Sequence, residues 1–161
     1  MLGRLLDRAL SQVLRSLKWL VIPISLLLFL QWPLREYFQV YSREANDLGQ
    51  WLFALYVAAS VTAATRAGTH LATDAFARRY SPHTRRLLSH LCNLLSLAPW
   101  AIFILVSATP IILRSITHLE RFAETGNPGY FIVKLALWLL AAGVLAAIVL
   151  DMIGPSAEDD R

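Results

Sequence analysis

The stretch Trp51-Leu52-Phe53-Ala54-Leu55-Tyr56-Val57-Ala58-Ala59-Ser60-Val61-Thr62-Ala63-Ala64 carries no charge and runs straight into Arg66-Ala67-Gly68-Thr69-His70-Leu71-Ala72-Thr73-Asp74. Widened to residues 48–67, the apolar run reaches the ~20 residues that a helix needs to cross ~30 Å of hydrocarbon. Three further blocks have the same character, at about 17–38, 87–113 and 130–153. Apolar residues make up 57% of the 161-residue chain, and the mean hydropathy is +0.51. The sequence therefore reads as an all-α membrane protein with four transmembrane helices in a single membrane domain, 1–161. The first span is not read as a cleaved signal: its apolar run is too long and Gln31-Trp32-Pro33-Leu34-Arg35 offers no small-x-small site.

Two shorter amphipathic elements are expected beside the spans. In residues 1–18, Leu2, Leu5, Leu6, Ala9, Leu10, Val13, Leu14 and Leu17 share one helical face, opposite Arg4, Asp7, Arg8, Ser11, Gln12 and Arg15. That pattern suits a helix in the membrane interface, arginines toward anionic head groups. A short in-plane helix is expected in the second link, where Asp74 and Arg78 can pair at i,i+4. Ser81-Pro82 then restarts the chain as N-cap and first helical residue.

Charge sets the topology. Arg4, Arg8, Arg15 and Lys18 precede the first span, and Arg66, Arg78, Arg79, Arg85 and Arg86 crowd the second link. The first and third links hold fewer cations and several acids: Glu36, Glu44, Asp47, Glu120 and Glu124. The positive-inside rule puts both termini and the second link in the cytoplasm, with an acidic tail at 154–161. The net charge of +4 is thus a topology signal. It gives no reason to expect nucleic acid as a partner; the arginines are expected at phospholipid head groups.

Chemistry-bearing motifs are missing: no phosphate-cradling glycine loop, no metal-spaced His/Cys cluster, no nucleophile elbow. No enzyme activity, metal or cofactor is expected. Lys134, about a turn inside span four, reads as snorkelling outward past Tyr130. Asp151, at the other end of that span, is expected to reach water or an arginine. His70, His83, His90 and His118 raise a haem-binding redox anchor as one alternative, and a stand-alone small transporter is another. Cys92 reads as a buried small residue. Pro23, Pro33, Pro99 and Pro110 are expected to kink their spans. Ala54-xxx-Ala58, Ala59-xxx-Ala63-xxx-Ala67, Ser60-xxx-Ala64-xxx-Gly68, Ala142-xxx-Ala146 and Gly143-xxx-Ala147 are small-residue ladders suited to close helix approach. Span two has more such faces than an internal bundle requires, which raises the odds of a partner.

At the junction quoted above the chain resembles the DctQ-like small membrane subunit of tripartite ATP-independent periplasmic (TRAP) transporters. The resemblance extends over nearly the whole chain in length, span layout and charge pattern. It is sharpest at the aromatic and alanine-rich span two and at Arg66, Gly68, His70 and Asp74. Where such proteins often carry paired glutamates and an arginine before span two, this sequence has Asn46, Asp47 and Gln50, with Glu44 nearby. The resemblance implies a non-catalytic subunit of a sodium-driven organic-acid importer in the bacterial inner membrane. Its implied partners are a large transmembrane transport subunit, where sodium coupling is expected, and a periplasmic substrate-binding protein. Arg66, Gly68, His70, Asp74 and Asp47 are then expected at partner interfaces, with Arg4, Arg8, Arg15, Arg78, Arg79, Arg85 and Arg86 at lipid head groups.

Overall fold

The computed structural model describes residues 2–39, 42–67 and 81–153, the side chains of 2–6, 82, 83, 85, 86, 89 and 153 excepted. The described residues form helices joined by short links, with no strand among them. Helix α1 (Leu2–Leu17) leads through a 3₁₀ turn (Lys18–Leu20) into α2 (Val21–Tyr37). Helix α3 is Arg43–Arg66, α4 is Pro82–Cys92, α5 is Ala98–Thr117 and α6 is Tyr130–Ile153. A π-helical turn, Asn93–Leu97, joins α4 to α5. Four segments are long and apolar enough to span a membrane: Asp7–Tyr37, Arg43–Arg66, His90–Thr117 and Tyr130–Met152.

Local chemistry fixes the helix ends. Ser42 caps α3: its Oγ accepts from Ala45 N at 3.1 Å. The helix thus starts several residues before its apolar block. Ser81 caps α4 in the same way, accepting from Thr84 N at 3.2 Å, with Pro82 as first helical residue. The expected disturbance near Pro99 takes the form of the π turn, in which Ala98 N–H reaches back to Asn93 O. Proline lacks the donor that an α-turn would need there, and a wider turn re-routes the neighbouring carbonyls. Helix α5 runs on through Pro110 to Thr117.

The spans are arranged as an open row, α2–α3–α6–α5. Helices α3 and α6 share the most extensive contact, α5 packs on the far side of α6, and α2 meets α3. Small residues explain the α3–α6 pairing. Ala58, Ala59, Thr62 and Thr65 are buried on α3, and Ala136, Ala141, Val144, Ala147 and Ile148 on α6. Gly143 lies against Thr62 so closely that a Cβ there would sit 2.5 Å from Thr62 Oγ1. Where lipid removes the hydrophobic drive, such backbone approach and its dispersion contacts hold helices together. Ala98 and Ala101 of α5 join Ala141, Val144 and Ile148 in the core cluster. Midway along, Trp138 Nε1 donates to Thr109 Oγ1 at 3.1 Å, a polar tie between α6 and α5.

Candidate functional site

Polar side chains gather at the two ends of the α3–α6 pair. At the last turn of α3, Arg66 turns toward α1. Its Nη1 donates to Ser11 Oγ at 2.9 Å and its Nη2 pairs with Asp7 Oδ1. Arg66 is only 22% exposed. Leu10, Leu14 and Leu17 of α1 are half-buried, whereas Arg8, Ala9, Val13 and Arg15 stay exposed. So α1 is fastened through one edge of its polar face, and part of its apolar stripe remains open.

At the other end, the link from His118 to Gly129 is folded over α3. Leu119, at φ 45°, ends α5, and Glu120 N–H returns to Ser115 O at 2.9 Å. Phe122 N–H donates to Asn127 O, and Gly126 N–H to Phe122 O, both at 2.9 Å. Asp47, 5% exposed, organises this link from α3: Thr125 Oγ1 donates to its Oδ2 at 2.6 Å and Asn127 Nδ2 at 3.5 Å. Phe122 is buried between Trp51 and Tyr130, at ring distances of 6.0 and 5.4 Å. Gly129 has φ +131°, and a Cβ there would fall 2.2 Å from Trp51 Cζ2. Only glycine satisfies both the backbone angle and the indole.

Lys134 extends past Tyr130 in the expected direction and there meets a partner within the chain. Its Nζ lies 2.5 Å from Glu120 Oε2 and 5.3 Å from the centre of the Tyr130 ring. The same carboxylate oxygen accepts from the buried Ser115 hydroxyl. The Lys134 ammonium, then the Ser115 hydroxyl, hold the Glu120 carboxyl below the usual carboxylate range, against a smaller opposing effect of burial. Asp151 also finds a different partner from the one expected: His90 Nδ1, at 3.2 Å. Cys92, expected to be buried, is exposed.

Of the sequence-predicted contact residues, Arg66 and Asp47 sit at opposite ends of α3, each engaged inside the chain. Gly68, His70, Asp74, Arg78 and Arg79, with the expected in-plane helix, lie outside the described residues, as does the 154–161 tail; so do the side chains of Arg4, Arg85 and Arg86. Arg8 and Arg15 are exposed. His90 and His118 stand at opposite ends of the third span, too far apart along it to face one haem. The pairing of Asp47 with Thr125 and of Glu120 with Lys134 escaped sequence reading. Each joins residues that only the folded link brings together, and their one signal is an acid beside a span end.

The remaining feature is the exposed apolar surface. Helix α2 buries only Ile24, while Leu28, Phe29, Trp32 and their neighbours along it are exposed. Ala63 and Ala67 of the small-residue ladder on α3 are also exposed. Among the described residues no group of three or more His, Cys, Asp or Glu could hold a metal ion. These features define a multi-pass membrane protein, helical over its described residues, in which Arg66, Asp47, Glu120 and Lys134 fasten neighbouring elements of the chain. The family model for tripartite ATP-independent periplasmic transporters, DctQ component, matches residues 15–156. The chain belongs to this family, and is thereby the small component of a TRAP transporter of the inner membrane. No curated protein and no solved structure matches the chain.

Proposed function

We propose that this chain is a non-catalytic subunit that anchors the scaffold of the large transport subunit in a sodium-coupled importer of organic acids. The observation that carries the proposal is the open row of helices. Helix α2 has one substantial neighbour among the spans, and the small-residue face at Ala63 and Ala67 is unfilled. A row with a stiff centre and bare flanks suits a component that widens another membrane body and holds it at fixed depth. Sodium and substrate are then handled by the large subunit, supplied by a periplasmic binding protein.

In this reading both termini face the cytoplasm, and α1 lies in the inner interface. Arg4, Arg8, Arg15, Arg78, Arg79, Arg85 and Arg86 set depth through lipid phosphates. Arg66 ties α1 to α3, while Gly68, His70 and Asp74 fasten the second link or meet the partner. The test is uptake of a labelled organic acid into vesicles holding the large subunit and the binding protein, with and without this chain. Uptake that needs both the chain and an inward sodium gradient is expected. Full uptake without the chain overturns the scaffold role, and uptake indifferent to sodium overturns the coupling.

A further inference from the structure

Beside the Glu120–Lys134 pair lies a cavity of about 320 Å³, lined by Ile111, Arg114, Ser115, His118, Glu120 and Lys134. Three elements build it: the end of α5, the third link and the first turns of α6. Its charges are unequal in availability. Glu120 is taken up by Lys134 and Ser115, so that pair forms a nearly neutral wall. Arg114 is exposed and has no ion-pair partner among the described residues; His118 beside it is exposed as well. The Arg114 carbonyl closes the helix by accepting from His118 N–H and Thr117 Oγ1; the guanidinium donors have no hydrogen-bond partner among the described residues. Below them the surface turns apolar: Ile111 lines the cavity at 59% exposure, and Leu113 is exposed nearby.

We propose that this cavity binds the phosphate of a phospholipid head group, with Arg114 as its principal ligand and the Ile111 flank receiving an acyl chain. A guanidinium presents planar paired donors that match two phosphate oxygens, which an ammonium cannot do. The position at a span end puts that fork at head-group depth. The adjoining exposed apolar surface distinguishes an amphiphilic anion from a free one. A free phosphate gains only the cation, whereas a lipid also covers Ile111 and gains its apolar area. Arg114 lies at the far end of the third span, His90–Thr117, from His90, and is not among the arginines expected at head groups from the sequence. The site does not depend on which leaflet that end occupies.

The test is native mass spectrometry of the delipidated full chain in detergent, titrated with palmitoyl-oleoyl phosphatidylglycerol. The variants are R114Q, R114K and R121Q. Loss of a charge-assisted hydrogen-bonded pair weakens the first lipid-binding step about tenfold or more in R114Q. R121Q is expected to bind as the parent does, because Arg121 Nη1 is engaged with Gly126 O at 2.9 Å. Circular dichroism checks that helicity is kept. Should R114Q lose helicity, R114K decides: it keeps charge and helix propensity but loses the fork, and a weakening of several-fold is expected. Equal first-lipid binding in parent and Arg114 variants overturns the proposal. So does an equal loss in R121Q, which marks non-specific charge. Displacement of the lipid by millimolar inorganic phosphate overturns the lipid assignment in favour of a free-anion site.

Discussion

Replacing Gly143 by alanine tests the packing that holds the row together. The new Cβ would lie 2.5 Å from Thr62 Oγ1, 3.0 Å from its Cγ2 and 3.3 Å from its Cβ. Ordinary contact between such atoms needs about 3.5 Å or more, so α3 and α6 must part by roughly 1 Å or Thr62 must turn. Turning is hindered, because Thr62 is β-branched, 3% exposed, and donates its hydroxyl to Ala58 O at 2.8 Å. Overpacking of this kind costs about 1–3 kcal/mol. The expected result is a loss of that size in reversible unfolding by denaturing detergent. T62A removes the two nearest of these three atoms and keeps only the Cβ at 3.3 Å, so T62A/G143A is expected to recover most of the loss, with a coupling of about 1–2 kcal/mol in the double-mutant cycle. G49A is the control: a Cβ at Gly49 meets nothing within 4 Å, and alanine there should be neutral or gain up to about 1 kcal/mol. If G143A matched G49A, or if T62A failed to rescue it, the close approach of α3 and α6 would not be what holds them.

Three further outcomes are expected. G129A combines a left-handed backbone angle with a collision on Trp51, and should cost more than about 2 kcal/mol, read as a lowered unfolding midpoint and altered tryptophan fluorescence. R66Q leaves Asp7 without its ion pair; with Asp7 half exposed the global cost is only about 1 kcal/mol or less. Amide exchange along α1 should nevertheless accelerate, and the swap D7R/R66D should slow it again. The third concerns pH. Glu120 has a lowered folded pKa, so its contribution is full above the ordinary carboxylate range and is lost as pH falls through and below it. In E120Q that acid-side loss should be smaller in unfolding midpoints followed from neutral pH downward; an unchanged slope would show that Glu120 is not the group responsible.

The spans were legible because a bilayer leaves few choices. Twenty apolar residues in lipid must satisfy their own backbone, and a helix does so. Ser81-Pro82 gave the start of α4 for a local reason of the same kind. Helix α3 begins at Arg43, ahead of its apolar block, because Ser42 supplies a cap that hydropathy does not register. The row α2–α3–α6–α5 was not legible, since every apolar face looks alike when lipid and helix are equally good neighbours. Partner choice there depends on shape, and Gly143 against Thr62 declares itself only when both helices are placed. The polar pairings failed for a related reason. Lys134 to Glu120 spans a folded link, Asp47 reaches Thr125 across 78 positions, and Arg66 reaches Asp7 across 59. Helical spacing relates residues about one turn apart, and none of these pairs is of that kind.

The distribution of strong contacts along the row bears on how the chain can work. Helices α3 and α6 are joined at two heights: Asp47 holds the link before α6 at one end, and Gly143 meets Thr62 toward the other, a turn before Arg66 clamps α1 to α3. Helix α5 is pinned to the same pair through Thr109 and Trp138. Bending such a unit means breaking packing and hydrogen bonds together, which costs more than either alone. Helix α2 has no comparable tie: it buries a single side chain, and its exposed residues face whatever surrounds the protein. A pump that moves substrate by rocking one body against another needs a fixed body that does not yield. In the proposed scaffold role the α3–α6–α5 unit supplies that resistance, and the lightly held α2 follows the surface of the large subunit without straining the rest. The proposed scaffold role accords with the placement of charge at the ends of the row. A buried ion at mid-depth would suit transport, whereas the ion pairs here join neighbouring elements of the chain.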